Sequence, residues 1–285
     1  MSPRFYLIPL AIVAVGAGVA IKRQTRDHTE HRATTVVVLP LPQHEWCSER
    51  PKSSRGWYCE VREFSFSASD LNALDASPNG GIEMKGWDSD VVQVLAKVQA
   101  TARSDADARG LVSEVHVATS GMKLDASGPK SGRNESWSVS YRAEVPHRSN
   151  WSLHATNGGI AVEDVSGNLE VATTNGSITL RAIGGDVQGR AVNGSIKAEL
   201  AGTEWDGAGL DLKTTNGSVD ILMSGEYNAV LESATTNGAI QVDFPVTVSG
   251  RISRRLNAEI GSGGALIKAV TTNGAVRIRK LTIDD

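Results

Sequence analysis

The sequence predicts an all-β protein: a β-solenoid of about 18-residue coils with Asn-Gly turns, preceded by a less regular β region with one short helix and an N-terminal apolar helix. Three observations carry this. A Thr-Asn-Gly motif recurs as ATNGGI at Ala155–Ile160, TTNGSI at Thr173–Ile178, TTNGSV at Thr214–Val219, TTNGAI at Thr235–Ile240 and TTNGAV at Thr271–Val276. A degenerate copy, AVNGSI, sits at Ala191–Ile196, and an outlying SPNGGI at Ser77–Ile82. The turn residues Asn157, Asn175, Asn193, Asn216, Asn237 and Asn273 are separated by 18, 18, 23, 21 and 36 positions, the last being twice 18. Each motif is followed by period-2 alternation, as in Ile178 and Leu180 or Ile196 and Ala198, with polar residues between.

A second strand precedes each turn. Six residues before the asparagines stand Trp151, Leu169, Val187, Leu210, Leu231 and Ile267. Gly-bearing punctuation at Ser166-Gly167 and Gly184-Gly185 closes the other corner. Asn and Gly are read as supplying positive φ for a tight reversal. An antiparallel meander of hairpins also fits Asn-Gly turns. Stacking is preferred, because only a solenoid gives a reason to repeat the same Ile and the same Asn. The asparagines then form a ladder along one edge. Glu163, Arg181 and Glu199 form an outward column, with Arg277 and Arg279 at its far end.

The preceding region divides as follows. Phe5–Ile21 is 17 residues without a charge, a signal-peptide core or a short transmembrane helix. Cleavage after Ala17 or Ala20 fits the small residues there. Lys22, Arg23 and Arg26 resemble a stop-transfer flank, which would leave the body cytoplasmic by the positive-inside rule. Residues 22–61 read as a linker and a cysteine loop. Cys47 and Cys59 enclose a polar stretch, and beside an export-like N-terminus a disulfide is expected. That favours a membrane-anchored protein with its solenoid extracytoplasmic, in the periplasm or at the cell surface; secretion after cleavage is the alternative. Residues 62–150 form the irregular β part, with strands over Arg62–Ala76, Gly81–Ala100, Val115–Ala126 and Ser136–Val145. Ser104–Val115 offers a helix capped by Ser104 and followed by acidic residues. Residues 151–285 are the regular coils, with 250–265 the least regular.

Composition agrees. The 285 residues are 40% hydrophobic and 5% aromatic, with 29 Gly, which suits thin coils filled by Ile, Val, Leu and Ala. Net charge is −3, so no nucleic-acid footprint is present.

The opening REFSFSASDLNALDASPNGGIEMKGWDSDVVQVLAKV at Arg62–Val98, the segment leading to VPHRSNWSLHATNGGI at Val145–Ile160, and the serial coils ending in TTNGAVRIRK at Thr271–Lys280 together resemble a family. It is the bacterial β-strand-repeat family of unknown function labelled "putative adhesin". The resemblance runs from about Arg62 to the C-terminus. It implies a β-solenoid, usually on a membrane-anchored or exported protein, and no established activity. The linker and cysteine loop lie outside it.

Catalytic signals are weak. Glu163 and Asp164 are adjacent and point to opposite faces of a strand, and Asp186 and Asp211 lie on different coils, so no carboxylate pair converges. None of the six His forms HxH or HExxH, and no calcium nonapeptide is present, so no metal and no cofactor is expected. One feature suggests a ligand: Arg251, Arg254, Arg255, Arg277, Arg279 and Lys280 could meet in a basic patch for an anionic glycan, lipid head groups or an acidic partner. The alternative is a solvated, charge-capped terminal coil. The expected function is a non-catalytic cell-envelope structural or interaction (adhesin-like) module, touching the membrane through its N-terminal segment and binding an envelope protein or an anionic glycan. The alternatives are a membrane-associated sensor working through a partner and, behind it, a carbohydrate-active enzyme.

Overall fold

The structure, a computed structural model, describes residues 40–41, 45–48, 50, 55–248 and 254–281. The expected apolar helix over Phe5–Ile21, most of the linker, and Arg251 lie outside the described residues. Among the described residues no helix is long and apolar enough to cross a membrane.

The N-terminal part holds β1 (Pro40–Leu41), a 3-10 turn at Glu45–Cys47, β2 (Gly56–Ser67), β3 (Ala73–Asp75), β4 (Ile82–Trp87), β5 (Val91–Ala102), α1 (Asp105–Glu114), β6 (His116–Ser120), β7 (Lys123–Ser127) and β8 (Ser136–Pro146). Each coil then joins a longer strand ending at Asn to a shorter one. These pairs are β9 (Trp151–Asn157) with β10 (Ile160–Glu163), β11 (Ser166–Asn175) with β12 (Ile178–Arg181), and β13 (Gly184–Asn193) with β14 (Ile196–Glu199). Next come β15 (Gly209–Asn216) with β16 (Val219–Met223) and β17 (Ala229–Asn237) with β18 (Ile240–Val242). Two strands break the pattern, β19 (Val246–Val248) and β20 (Arg255–Ile260), before β21 (Leu266–Asn273) and β22 (Val276–Lys280).

The strands build two 11-stranded sheets. Sheet A runs β1-β2-β5-β8-β4-β10-β12-β14-β16-β22-β18, and sheet B runs β19-β20-β17-β21-β15-β13-β11-β9-β3-β7-β6. Coil strands pair in parallel and in register: Ile160 opposes Ile82 and Ile178, and Ile178 opposes Ile196. Alternation therefore drives every second residue inward. Leu169, Val187, Ile178, Ile196, Val219 and Val276 are fully buried between the sheets.

Stacking does not follow the sequence. β21 and β22 insert between the coil of Asn216 and the coil of Asn237, pairing with β15 and β17 in sheet B and with β16 and β18 in sheet A. The 36-residue gap is thus not a doubled coil. Its extra length carries β20, which caps β17 in antiparallel fashion, and β19, which pairs antiparallel with β20, before the chain returns. The last coil of the sequence is not the terminal coil of the stack. The outlying motif, by contrast, joins the stack, with Asn79 bridged to Asn157 and β4 paired to β10.

The turns also differ in cause from the expectation. No turn Asn has positive φ, and of the turn glycines Gly80 and Gly274 do. What requires glycine is proximity: a Cβ on Gly158, Gly176, Gly194, Gly217, Gly238 or Gly274 would strike the backbone of the turn glycine in the adjacent coil. What selects Asn is its side-chain amide, which donates to the Asn of the coil beneath. Asn175 donates to Asn157, Asn193 to Asn175 and Asn216 to Asn193, each at 2.8 Å. The first Thr of each TTNG is buried, and its hydroxyl donates to the turn-glycine carbonyl of the coil beneath, as Thr173 does to Gly158 at 2.9 Å.

The irregular part closes one end. Ser104 caps α1 by accepting from the Asp107 N–H at 3.1 Å. At the other end Arg62 donates to the carbonyls of Val115 at 2.6 Å and Val112 at 3.0 Å. β2 starts at Gly56 and contains Cys59, so the boundary expected after residue 61 falls inside a strand. The regular stack likewise begins with β3 and β4, ahead of Trp151.

Candidate functional site

Successive residues of β2 point to opposite sides of sheet A. Phe64 and Phe66 face the main core. Cys59 and Val61 face outward, where they form a second small core with Cys47, Trp46, Trp57 and Leu95. A Cys47–Cys59 disulfide ties the 3-10 turn onto this outer surface. Trp46 is thereby laid over the sheet, with the Arg142 guanidinium 4.1 Å and the Lys97 ammonium 5.4 Å from its ring.

The register then lines up outward side chains in rows across strands. One row runs Glu63, Leu95, Arg142, Glu83, Ala161 and Thr179. The next runs Gln93, Glu144, Lys85, Glu163, Arg181 and Glu199. Between them lies an open trough of about 660 Å³. A second hollow of about 450 Å³ continues it past Trp46, over Gly81, Gly159 and Ser177, and shares Glu83, Ala161 and Thr179 with the first. Arg142 donates to Glu83 at 2.7 Å, and Lys85 and Arg181 lie 3.8 Å from Glu163 and Glu199. Beneath the floor Tyr141 is fully buried, and burial pushes its phenol well up.

Glu163 and Arg181 of the expected outward column therefore stand on one wall of this trough, and Glu199 continues their row beyond it. The residues that shape the rest (Trp46, Leu95, Arg142, Glu83 and Lys85) were not singled out by sequence. Trp46 had one signal, its place beside Cys47. The others depend on β8 lying between β5 and β4, which no local pattern encodes.

The described members of the expected basic patch are divided between the two sheets. Arg255 lies on β20 in sheet B, whereas Arg277, Arg279 and Lys280 lie on β22 in sheet A. Arg277 and Arg279 both turn to Asp220, at 3.3 and 3.2 Å. Lys280 sits 5.7 Å from the Phe244 ring. The Arg254 carbonyl accepts from the Thr235 N–H at 2.9 Å. Arg277 and Arg279 thereby tie β22 to β16 of the neighbouring coil.

A cluster on sheet B resembles a nucleophile relay without its geometry. Asp75 and Ser77 both contact the same nitrogen of His154, Nδ1, each at 3.1 Å. A relay needs the acid and the hydroxyl on opposite ring nitrogens. Burial raises the Asp75 pKa, but hydrogen bonds from Ser77 and His154 outweigh it and hold the carboxyl below its ordinary value. Glu163 stands in the trough while Asp164 turns away to His147 at the corner, so those two carboxylates do not converge. Among the described residues no group of three or more His, Cys, Asp or Glu is placed to hold a metal ion.

Residues 74–279 match the family described as Toastrack DUF4097, and the chain belongs to that family. None of the curated proteins matches it. Among solved structures it is similar to a "putative cell adhesion protein" from Clostridium sporogenes, at 11% identity and TM-score 0.42, covering 80% of this chain and 100% of that one. It is also similar to a "putative adhesin" from Bacteroides fragilis, at 12% identity and TM-score 0.35, covering 78% and 97%. A "putative lipid binding protein" from Parabacteroides distasonis shares 10% identity at TM-score 0.34, covering 79% and 97%.

Proposed function

We propose, with membership of the Toastrack DUF4097 family as the premise, that the chain is a non-catalytic interaction module of the cell envelope. It is anchored or exported through Phe5–Ile21 and uses the outer face of sheet A as its contact surface. The observation that supports this most is the clamp of Trp46. A sheet serving only as a spacer needs a solvated outer face. Here a disulfide holds an aromatic ring against two cations at the rim of a trough. A structural disulfide also suits an oxidising compartment better than the cytoplasm. A sensor acting through a partner would use the same surface.

The test is labelling of intact cells with a membrane-impermeant maleimide, before and after reduction. Labelling of Cys47 and Cys59 only after reduction supports the reading. Labelling without reductant, and only after lysis, places the solenoid in the cytoplasm and refutes it.

A further inference from the structure

We propose that the trough on the outer face of sheet A binds a neutral, hydroxyl-rich oligosaccharide. The proposal rests on the interaction-module reading and adds the chemistry of the ligand.

The charge balance comes first. The trough is lined by four carboxylates, Glu63, Glu83, Glu144 and Glu163, against three cations, Lys85, Arg142 and Arg181. Signs alternate along the row Glu144, Lys85, Glu163, Arg181, Glu199, one side chain per strand, at a spacing of ~4.8 Å. A polyanion laid along that row would meet a carboxylate at every second strand. An acyl chain would strip water from the charges and give nothing back. A polypeptide that joins a sheet as an added strand needs a free strand edge, and this trough lies across a face. A sugar hydroxyl both donates and accepts, so successive hydroxyls can satisfy carboxylates and cations in turn.

The apolar features fit the same ligand. Trp46 offers ring surface at one rim, and Leu95 and Ala161 interrupt the charged rows with small apolar patches. Past Trp46 the floor is Gly81, Gly159 and Ser177, low enough for a flat ring to approach the backbone. Flat apolar platforms flanked by a few placed polar groups are the usual make-up of a small-ligand site.

The experiment is calorimetric titration of the full chain, disulfide intact, in a non-glycosidic detergent. The probes are cellotetraose, chitotetraose and a sulfated heparin tetrasaccharide. The expected result is saturable binding of a neutral tetrasaccharide with Kd of ~0.1–1 mM, an affinity suited to an open, one-sided site. Trp46→Ala should weaken it at least ~10-fold, as truncation of an aromatic anchor does. Because that change also touches the small core, Ala161→Arg is the second variant: it fills the trough from an outward position, should leave thermal unfolding unchanged and should abolish binding. Arg255→Ala on sheet B should bind normally. Absence of neutral-saccharide binding to the intact protein would overturn the proposal. So would binding that survives in folded Ala161→Arg, or binding of the sulfated probe alone. The maleimide experiment is independent of these outcomes, so the ligand class can fall while the envelope module stands.

Discussion

Asn273 donates its side-chain amide to Asn216 at 2.8 Å, across 57 residues, and accepts from Asn237 at 2.8 Å. The last motif in the sequence is therefore an interior rung of the ladder, and Asn237 is its end. A chain stacked in sequence order would make the opposite assignment. Each rung bond is worth about 0.5–1.5 kcal/mol. Asn273→Ala removes two and Asn237→Ala removes one, so Asn273→Ala should be the more destabilising in urea unfolding. The reverse ranking would mean that the coils stack in chain order.

The turn glycines should be intolerant for a steric reason. A Cβ on Gly194 would collide with the Gly176 carbonyl, and both atoms belong to backbone fixed by parallel pairing. Gly194→Ala should cost about 1–3 kcal/mol, in the range of overpacked interiors. The internal control is Gly110, in α1, where a Cβ meets nothing within 4 Å. Gly110→Ala should stabilise by up to about 1 kcal/mol through helix propensity. Equal effects of the two substitutions would remove proximity as the reason for glycine.

These two cases mark what the sequence could disclose. Repetition of Thr-Asn-Gly and of the flanking Ile, Val and Leu revealed coils, turns and inward faces, because each depends on local period. The cap Ser104 and the helix after it were legible for the same reason. The insertion of β21 between β15 and β17 was not, since one Thr-Thr-Asn rung is chemically equivalent to the next. The trough was hidden for a related reason. Its rows combine Arg142 from β8 with Glu83 from β4 and Ala161 from β10, and only the register of distant strands brings them together.

The buried threonines predict a gain as well as a loss. Thr271 is 1% exposed and donates to the Gly217 carbonyl at 2.8 Å. Thr271→Val keeps the shape and deletes the donor, and should cost about 1–2 kcal/mol. Ala191 holds the same position in its coil, without a hydroxyl to reach the Gly176 carbonyl. Ala191→Thr should therefore raise the thermal midpoint. A lower midpoint would show that this coil packs too tightly for the extra atoms.

Asp75 sets a pH dependence. Burial works against its charged form, but the Ser77 and His154 hydrogen bonds win, so its folded pKa lies below the ordinary carboxylate value. The native state thus binds fewer protons than the unfolded chain in mild acid. This contribution is fully present above the unfolded pKa and fades as pH falls through the folded one. Ser77→Ala removes the Ser77 hydroxyl contacts within this cluster. By carbon NMR the Asp75 carboxyl should then titrate at higher pH, and the variant should lose less stability between neutral and acid solution. An unmoved titration would mean that the Ser77 hydroxyl does not hold the charge.

The disulfide joins stability to the binding surface. Cys47 and Cys59 are 12 residues apart, and closing a loop of that order stabilises by about 3 kcal/mol in the chain-entropy estimate. The same bond carries the turn that lays Trp46 over Arg142 and Lys97. Cys47→Ser with Cys59→Ser should lower stability by about 2–4 kcal/mol. It should also release Trp46 and reduce affinity for a neutral tetrasaccharide, while the solenoid keeps its β circular dichroism. The coils have their own core, centred on residues such as Leu169, Ile178 and Ile196, which does not depend on the clamp. Full saccharide affinity in the double serine variant would detach the ligand site from Trp46. Loss of β structure would show that the clamp holds up the sheet as well as the site.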